Sequence, residues 1–378
     1  MTILYILSGT NLGGATLSFL TLLENTISRG NSVAVVIPDD RPEFVERMKS
    51  LKVSYYILPL PFNSWPGSYG IKRFLGYPYV LLREQLQLIS LRKELFKIVQ
   101  KESPDIIHTN VSPLDAGHYA AKKFGIPHVW HIREYCDSDF NIHLFPTKRA
   151  YQRKLRNDYT ICITKSLQIY NHLADSDKSF VIYNGVRRSC DTTFIPEKQK
   201  FFLMASRISE EKGHERTLRV FARFSNSHPD FKLVILGDGY DYFINRCKQL
   251  TSQLGIEDKV VFEGFTQDVD SYMRIATALL VASPSEGFGR MTAEAAFNGC
   301  IVLGYNAAGT KEILESTGGY LWNNDDEYYN AMENVASLIS SEYSTKISVA
   351  QKAAQKLYSM ESYVDNVFDI YGKALCGL

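Results

Sequence analysis

ALLVASPSEGFGRMTAEAAFNG, residues 278–299, reads as a buried strand, a glycine-bearing loop and the opening of a helix. Open α/β sheets bind ligands where strands deliver their carboxyl ends into such loops, which places Glu286 in a crevice. The helix opens near Gly289-Arg290, so its free backbone N–H groups and positive dipole end face the same crevice and suit a phosphate. Glu294 falls about one turn inside that helix. One carboxylate accepts two hydrogen bonds from a cis-diol, which fits Glu294 to a ribose and Glu286, nearer the loop, to a second polyol. Gly287 and Gly289 let the amides between them approach that group closely. The same spacing is met equally by a helix with a first-turn Glu for its dipole and a second Glu at the surface.

Outward from this stretch the pattern repeats. FFLMAS (201–206), KLVILG (232–237), KVVFEG (259–264), IVLGYN (301–306) and GYLW (319–322) read as further strands, with helices near 213–228, 241–254, 268–275, 290–298 and 310–316. The first half does the same with TILYIL (2–7), SVAVVIP (32–38), VSYYILPL (53–60), DIIHTN (105–110), PHVWHI (127–132), YTICIT (159–164) and FVIYN (180–184). Helices there include 15–29, closed by Gly30-Asn31, and 85–101, with Leu88, Leu91, Leu95 and Ile98 on one face. Strands alternating with helices predict α/β domains on parallel sheets. A chain of 378 residues outgrows one hydrophobic core, so two domains are expected. The polar, aperiodic NGVRRSCDTTFIPEKQ (184–199) is the expected junction, giving domains at 1–190 and 196–360 and a final helical segment at 361–378.

Composition narrows the class. Hydrophobic residues make up 45% and charged residues 22%, the usage of globular proteins, and no apolar run reaches the roughly 18 residues of a membrane span. TILYILS (2–8) is too short and lacks the basic flank of a signal peptide, so a cytosolic protein is expected. Cys136, Cys162, Cys190, Cys247, Cys300 and Cys376 show no C-x-x-C spacing, which argues against a zinc site and a disulfide framework. Net charge is +1, yet residues 1–190 hold 24 Lys+Arg against 16 Asp+Glu and the remainder 18 against 25. The halves therefore differ as +8 and −7, and a basic first half suits an anionic partner, as chance asymmetry between two solvated surfaces also would.

Three more junctions carry chemistry. In ASRISEEKGHERTLRVF (205–221) a strand ends at Arg207 and Lys212-Gly213 open a helix, gathering guanidinium, ammonium and helix N-terminus around one point. Arg207 can fork onto two phosphate oxygens with Lys212 as a point charge; a salt bridge to Glu210 or Glu211 is the plainer account. LGDGY (236–240) supplies Gly237 and Gly239, alone no more than a tight turn. SGTNLGGATLSF (8–19) sets Gly13-Gly14 at a helix start, with neither a dinucleotide fingerprint nor a Walker loop. His131 and Arg133 close strand PHVWHI at a carboxyl edge, which tilts them toward substrate although a strand histidine is often structural.

Taken together and in order, these elements resemble the retaining, nucleotide-sugar-dependent glycosyltransferases of family 4, which have the two-Rossmann-domain GT-B fold. The matching residues are Gly13-Gly14, His131, VIYNGV (181–186), Arg207 with Lys212, GDG (237–239), Glu286-Gly-Phe-Gly with Glu294, and Gly309-Thr-Lys-Glu312. The resemblance implies catalytic roles for Arg207, Lys212, Glu286 and His131, and donor contacts from Gly13, Gly14, Gly237, Gly239, Gly287, Phe288, Gly289, Arg290, Met291 and Glu294. By the same resemblance Arg207 and Lys212 neutralise the donor diphosphate, Glu294 holds the ribose, Glu286 with the following amides holds the sugar, and His131 lies beside it. It also implies front-face transfer with retention, the departing phosphate helping to deprotonate the acceptor, no metal or other cofactor, and a final helix, 361–378, that crosses back to the first domain. Arg290 departs from the apolar residue that many relatives carry, and Thr310-Lys311 from an apolar-Pro pair.

The acceptor side is less marked. Arg133 and Glu134 are candidates, and residues 62–99 interleave Phe62, Trp65, Tyr69, Phe74, Tyr77 and Tyr79 with Lys72, Arg73, Arg83, Arg92, Lys93 and Lys97. That mixture suits an anionic membrane surface or a lipid-diphosphate acceptor, and equally a loop packed on its own domain. Near-neutral total charge disfavours nucleic acid. The expected activity is transfer from a UDP-linked sugar to a lipid-linked or polysaccharide glycan, at the inner face of the membrane, with domain closure about 184–199 assembling the site. A nucleotide-sugar epimerase, a phosphorylase and a silent nucleotide-sugar binding protein are the alternatives.

Overall fold

The computed structural model describes residues 1–11, 13–65, 77–111, 113–136, 139 and 141–377, with backbone only for 77–80. Two compact units divide the chain: residues 1–183 with 363–378, and residues 184–362.

Among the described residues the first unit holds seven parallel strands, β1 (Thr2–Ile6), β2 (Ser32–Ile37), β3 (Ser54–Ile57), β4 (Ile106–Thr109), β5 (His128–Ile132), β6 (Tyr159–Cys162) and β7 (Ser179–Val181), in the order β3-β2-β1-β4-β5-β6-β7. Its helices are α1 (Gly14–Ser28), α2 (Pro42–Ser50), α3 (Tyr77–Glu102), α4 (Ala116–Phe124), α5 (Lys148–Asn157) and α6 (Lys165–Tyr170). Strands covered on both faces are mostly apolar, although β4, β5 and β6 also bury His108, His128, His131 and Thr160. Leu95 and Val99 of α3 and Ala116 and Ala120 of α4 pack on Leu4, Ile6, Ala34 and Ile107. Phe19 and Leu22 of α1 and Phe44 and Met48 of α2 pack on the opposite face, over Ile3, Tyr5, Val35 and Val129.

The second unit has β8 (Gln199–Ala205), β9 (Lys232–Leu236), β10 (Val260–Gly264), β11 (Ala276–Val281), β12 (Val302–Tyr305) and β13 (Tyr320–Trp322), all parallel, in the order β10-β9-β8-β11-β12-β13. Its described helices are α7 (His214–Ser227), α8 (Asp241–Gln253), α9 (Val269–Ile275), α10 (Arg290–Phe297), α11 (Ala308–Thr317), α12 (Asp325–Ala336) and α13 (Ser340–Leu357). The last helix, α14 (Met360–Cys376), places Tyr363, Val364, Val367 and Tyr371 in the core of the first unit.

Residues 184–199 are not a free-standing junction. Val186 is fully buried and donates its N–H to Tyr358 O at 2.9 Å, Thr193 N donates to Phe297 O at 2.8 Å, and Phe194 packs on the core of the second unit. Its apolar residues anchor the stretch despite its polar composition. Cys162, Cys190, Cys247, Cys300 and Cys376 are free thiols. Among the described residues no helix is long and apolar enough to cross a membrane.

Candidate functional site

In the second sheet β9 and β10 lie to one side of β8, while β12 and β13 lie beyond β11. The β8/β11 pair is thus the point where strand order reverses, and the loops leaving these two strands part to open a crevice. Close backbone approach shapes it. Gly213 has φ +76°, and a Cβ there would lie 2.7 Å from Ala282 O, so the turn carrying Lys212 rests against the end of β11. That approach brings Lys212 Nζ to 2.5 Å from Glu286 Oε1. Neither Glu210 nor Glu211 takes the lysine. On the other side, Gly309 N donates to Glu286 O at 3.0 Å, and a Cβ on Gly309 would lie 2.1 Å from Phe288 O, which pins the Gly287-Phe288 loop.

The result is a hollow of about 200 Å³ lined by Arg207, Lys212, Glu286, Gly289, Arg290, Met291 and Thr292, at the amino end of α10. A second hollow, of about 350 Å³, shares Ser206, Arg207 and Met291 with it and continues over Gly237, Asp238, Phe265 and Thr266. Three cations, one carboxylate and a helix amino end therefore face one space. Gly237 and Gly239 have a packing reason of their own: a Cβ would lie 2.0 Å from Ser206 O in one case and 2.1 Å from Ile208 O in the other. They hold the loop after β9 against the loop after β8, which forms the wall between the two hollows.

Glu294 lies elsewhere. Only 4% exposed, it does not line either hollow, and its Oε1 is held by Arg290 Nε at 2.7 Å and Arg187 Nη1 at 2.9 Å. Arg187 also reaches Asp270 at 2.8 Å. Burial raises the carboxyl pKa of Glu294, with the two arginines pulling it back. Burial likewise works against the charge of Arg187, but Glu294 and Asp270 more than offset it. Sequence reasoning missed Arg187 and Asp270 entirely. The Arg290–Glu294 pair was within its reach, since the two stand at i,i+4 on one helix.

In the first unit His131 does not face an open crevice. It is 0% exposed, with Nδ1 3.2 Å from His108 Nε2 and its ring 6.0 Å from that of Tyr363. The face of β5 that carries His131 is covered by α14, which the strand's own sequence could not announce. A buried polar chain continues from His108 Nδ1 to Tyr371 at 2.7 Å, and from Tyr5 to Thr26 at 2.9 Å. Arg133, 5% exposed, donates to Asn110 Oδ1 at 3.0 Å and to the Tyr363 hydroxyl at 3.0 Å, so it too sits in the interior; Glu134 follows it, half-buried. Gly13 caps α1 in extended conformation, and among the described residues, chain neighbours and the helix's own backbone apart, no atom lies within 4 Å of a Cβ built on Gly13 or Gly14.

Of the aromatic and basic residues at 62–99, Phe62 packs on the core and Trp65 meets Phe145 edge-on at 4.8 Å, while Arg92 Nη2 lies 2.7 Å from Asp115. Tyr69, Lys72, Arg73 and Phe74 lie outside the described residues, as do the side chains of Tyr77 and Tyr79. A hollow of about 510 Å³ at the amino ends of β5 and β6 is larger than either on the second unit. Its polar group is His118 Nδ1 and His128 Nδ1, each 2.7 Å from Asp158 Oδ2, with Trp130 Nε1 at 2.8 Å. These are direct hydrogen bonds, and the ligand atoms of His118, His128 and Asp158 lie within 4.8 Å of one another, a grouping that could also hold a metal ion.

A family model described as Glycosyltransferase Family 4 matches residues 12–189, and one described as Glycosyl transferases group 1 matches residues 189–356. An uncharacterized 42.6 kDa protein in the cps region of Klebsiella pneumoniae is 24% identical over 325 residues, covering 80% of this chain and 83% of its own. The N-acetylgalactosamine-N,N'-diacetylbacillosaminyl-diphospho-undecaprenol 4-alpha-N-acetylgalactosaminyltransferase of Campylobacter jejuni is 31% identical over 118 residues, 31% of each chain. Among solved structures, Anabaena Alr3699/HepE in complex with UDP superposes with a TM-score of 0.80 at 19% identity, over 99% of this chain and 100% of that one. With two parallel-sheet units and both family models in succession along its length, the chain belongs to the group 1 glycosyltransferases of GT-B fold.

Proposed function

We propose that this glycosyltransferase takes a sugar from a UDP-linked donor and passes it, with retention and without a metal or other cofactor, to a hydroxyl of a lipid-linked or polysaccharide glycan. The observation that carries the reading is the single hollow faced by Arg207, Lys212 and Glu286 beside the amino end of α10. A diphosphate there meets two cations and free helix N–H groups, and Arg290 adds a third cation at the lining. The neighbouring hollow over Gly237 and Phe265 takes the nucleoside, and a ribose reaches Glu294, which lines neither hollow, only once Arg187 or Arg290 gives up its carboxylate. Glu286, released from Lys212 by the incoming phosphate, takes the sugar hydroxyls together with the amides of Gly287 and Phe288.

In the transfer step the bond between the anomeric carbon and the diphosphate oxygen breaks, a bond from that carbon to the acceptor oxygen forms, and the acceptor proton passes to the departing phosphate. Charge accumulates on the leaving group, where preorganised cations stabilise it most. The UDP complex of HepE supports the choice of base, and the diphospho-undecaprenol substrate in the name of the Campylobacter relative supports a lipid-linked acceptor. Nucleotide sugars are to be screened by thermal shift, followed by turnover of the best donor with and without a glycan acceptor. Stabilisation by UDP-sugars and acceptor-dependent release of UDP are expected. A preference for another base corrects the donor, and sugar conversion without acceptor overturns transfer.

A further inference from the structure

The exposed face of α3 is partitioned in an unusual way. Its first half carries Leu82 at 58% exposure, Leu86 at 58% and Ile89 at 47%, spaced i, i+4, i+7 as one stripe two turns long. Around and below the stripe the exposed residues of the same helix include Arg83, Lys93, Lys97 and Lys101. A single exposed carboxylate, Glu94, interrupts them, and Lys97 pairs with it at 2.8 Å.

A second basic element stands beside it. Helix α5, KRAYQRKLRN, contains five cations and no carboxylate. Lys154 of α5 reaches Asp115 Oδ2 at 2.6 Å while Arg92 of α3 reaches Oδ1 of the same carboxylate at 2.7 Å. Asp115 is 1% exposed and precedes α4 directly, so one buried anion ties α3 and α5 to the start of α4 and holds them on one side of the first unit. Arg149 and Arg153 of α5 remain exposed.

We infer that this α3–α5 face docks the first unit on an anionic lipid bilayer. Aliphatic side chains at helical spacing, bordered by lysine and arginine, match an interface whose outer layer is negative and whose inner layer is apolar. Each cation held near an anionic leaflet strengthens binding about fivefold. A second copy of the chain is a poorer occupant, because an isologous contact sets this positive face against itself. The inference stands on α3 and α5 alone and does not depend on the donor reading.

The test is cosedimentation of the full chain with phosphatidylcholine vesicles, with and without phosphatidylglycerol, beside size-exclusion light scattering. Binding to the anionic vesicles only, weakened by salt, is expected. The triple variant Leu82→Ser, Leu86→Ser, Ile89→Ser is expected to lose roughly tenfold in partitioning, and Arg149→Glu with Arg153→Glu to lose at least about 25-fold. Both retain the melting temperature of the parent, since every altered side chain is solvent-exposed. Three results overturn the inference: equal binding to neutral vesicles, no loss in the triple variant, or a dimer in solution that the triple variant dissociates.

Discussion

Lys212 and Glu286 form an ion pair 2.5 Å apart across 74 positions of sequence, and neither side chain is fully buried. Such a pair neutralises itself until a ligand separates it. On the proposed reading Lys212→Ala leaves the leaving group short of a charge, and kcat/KM is expected to fall about 10²- to 10³-fold with the far-UV circular dichroism unchanged. Near-parental turnover in the purified variant would refute that role. Glu294→Ala belongs to a different part of the structure: it leaves Arg187 and Arg290 without their shared anion and, on the proposed reading, removes the ribose partner. Weaker UDP binding by calorimetry is expected, roughly tenfold or more, and unchanged affinity rejects the assignment. The residue types of the site were legible because carboxylate, cation and glycine each have a stated chemical use at a strand end. Their pairing was not: Arg187 finds Glu294 across 107 positions, and no local pattern encodes that.

At the scale of elements, the strands could be read because each is a short run rich in β-branched and aromatic residues bounded by turn residues. The interior placement of His131 could not, because the helix that covers β5 arrives from Tyr363, 230 positions beyond Arg133 in the same cluster. Turn geometry supplies two predictions. Gly213→Ala places a Cβ against Ala282 O in a left-handed conformation, so a loss of at least about 1–2 kcal/mol is expected in denaturant unfolding, together with displacement of Lys212. Ala308 is the reverse case, a non-glycine residue at φ +47° where α11 begins. Ala308→Gly is expected to raise stability by about 1 kcal/mol; a drop instead would show that the alanine methyl contributes more than its backbone costs.

For the whole molecule, the buried histidines set a pH dependence. Burial, and then Arg133, hold His108 and His131 well below the ordinary 6.5, and burial lowers His128 against the pull of Asp158. As pH falls through 6.5 the unfolded chain takes protons that these folded rings refuse, so stability declines. Asp158 acts in the same direction at lower pH: burial would raise it, but the bonds from His118 and His128 hold it below its ordinary 3.8, and its contribution is lost as pH drops past that value. Glu294, raised above 4.5, opposes them as a single group. A melting temperature that falls by several degrees between about pH 7.5 and 5.5 is expected, and a flat profile over that range contradicts the neutral, buried rings.

Helix α14 completes the core of a unit whose other residues end at position 183, with the whole second unit encoded in between. On a ribosome adding about 5–20 residues per second, the lobe made first waits some 10–40 s for its last piece, while the lobe made second closes without help. The nascent chain therefore matures in reverse order of synthesis. Loss of the final sixteen residues should leave the later lobe intact and the earlier one open to proteolysis.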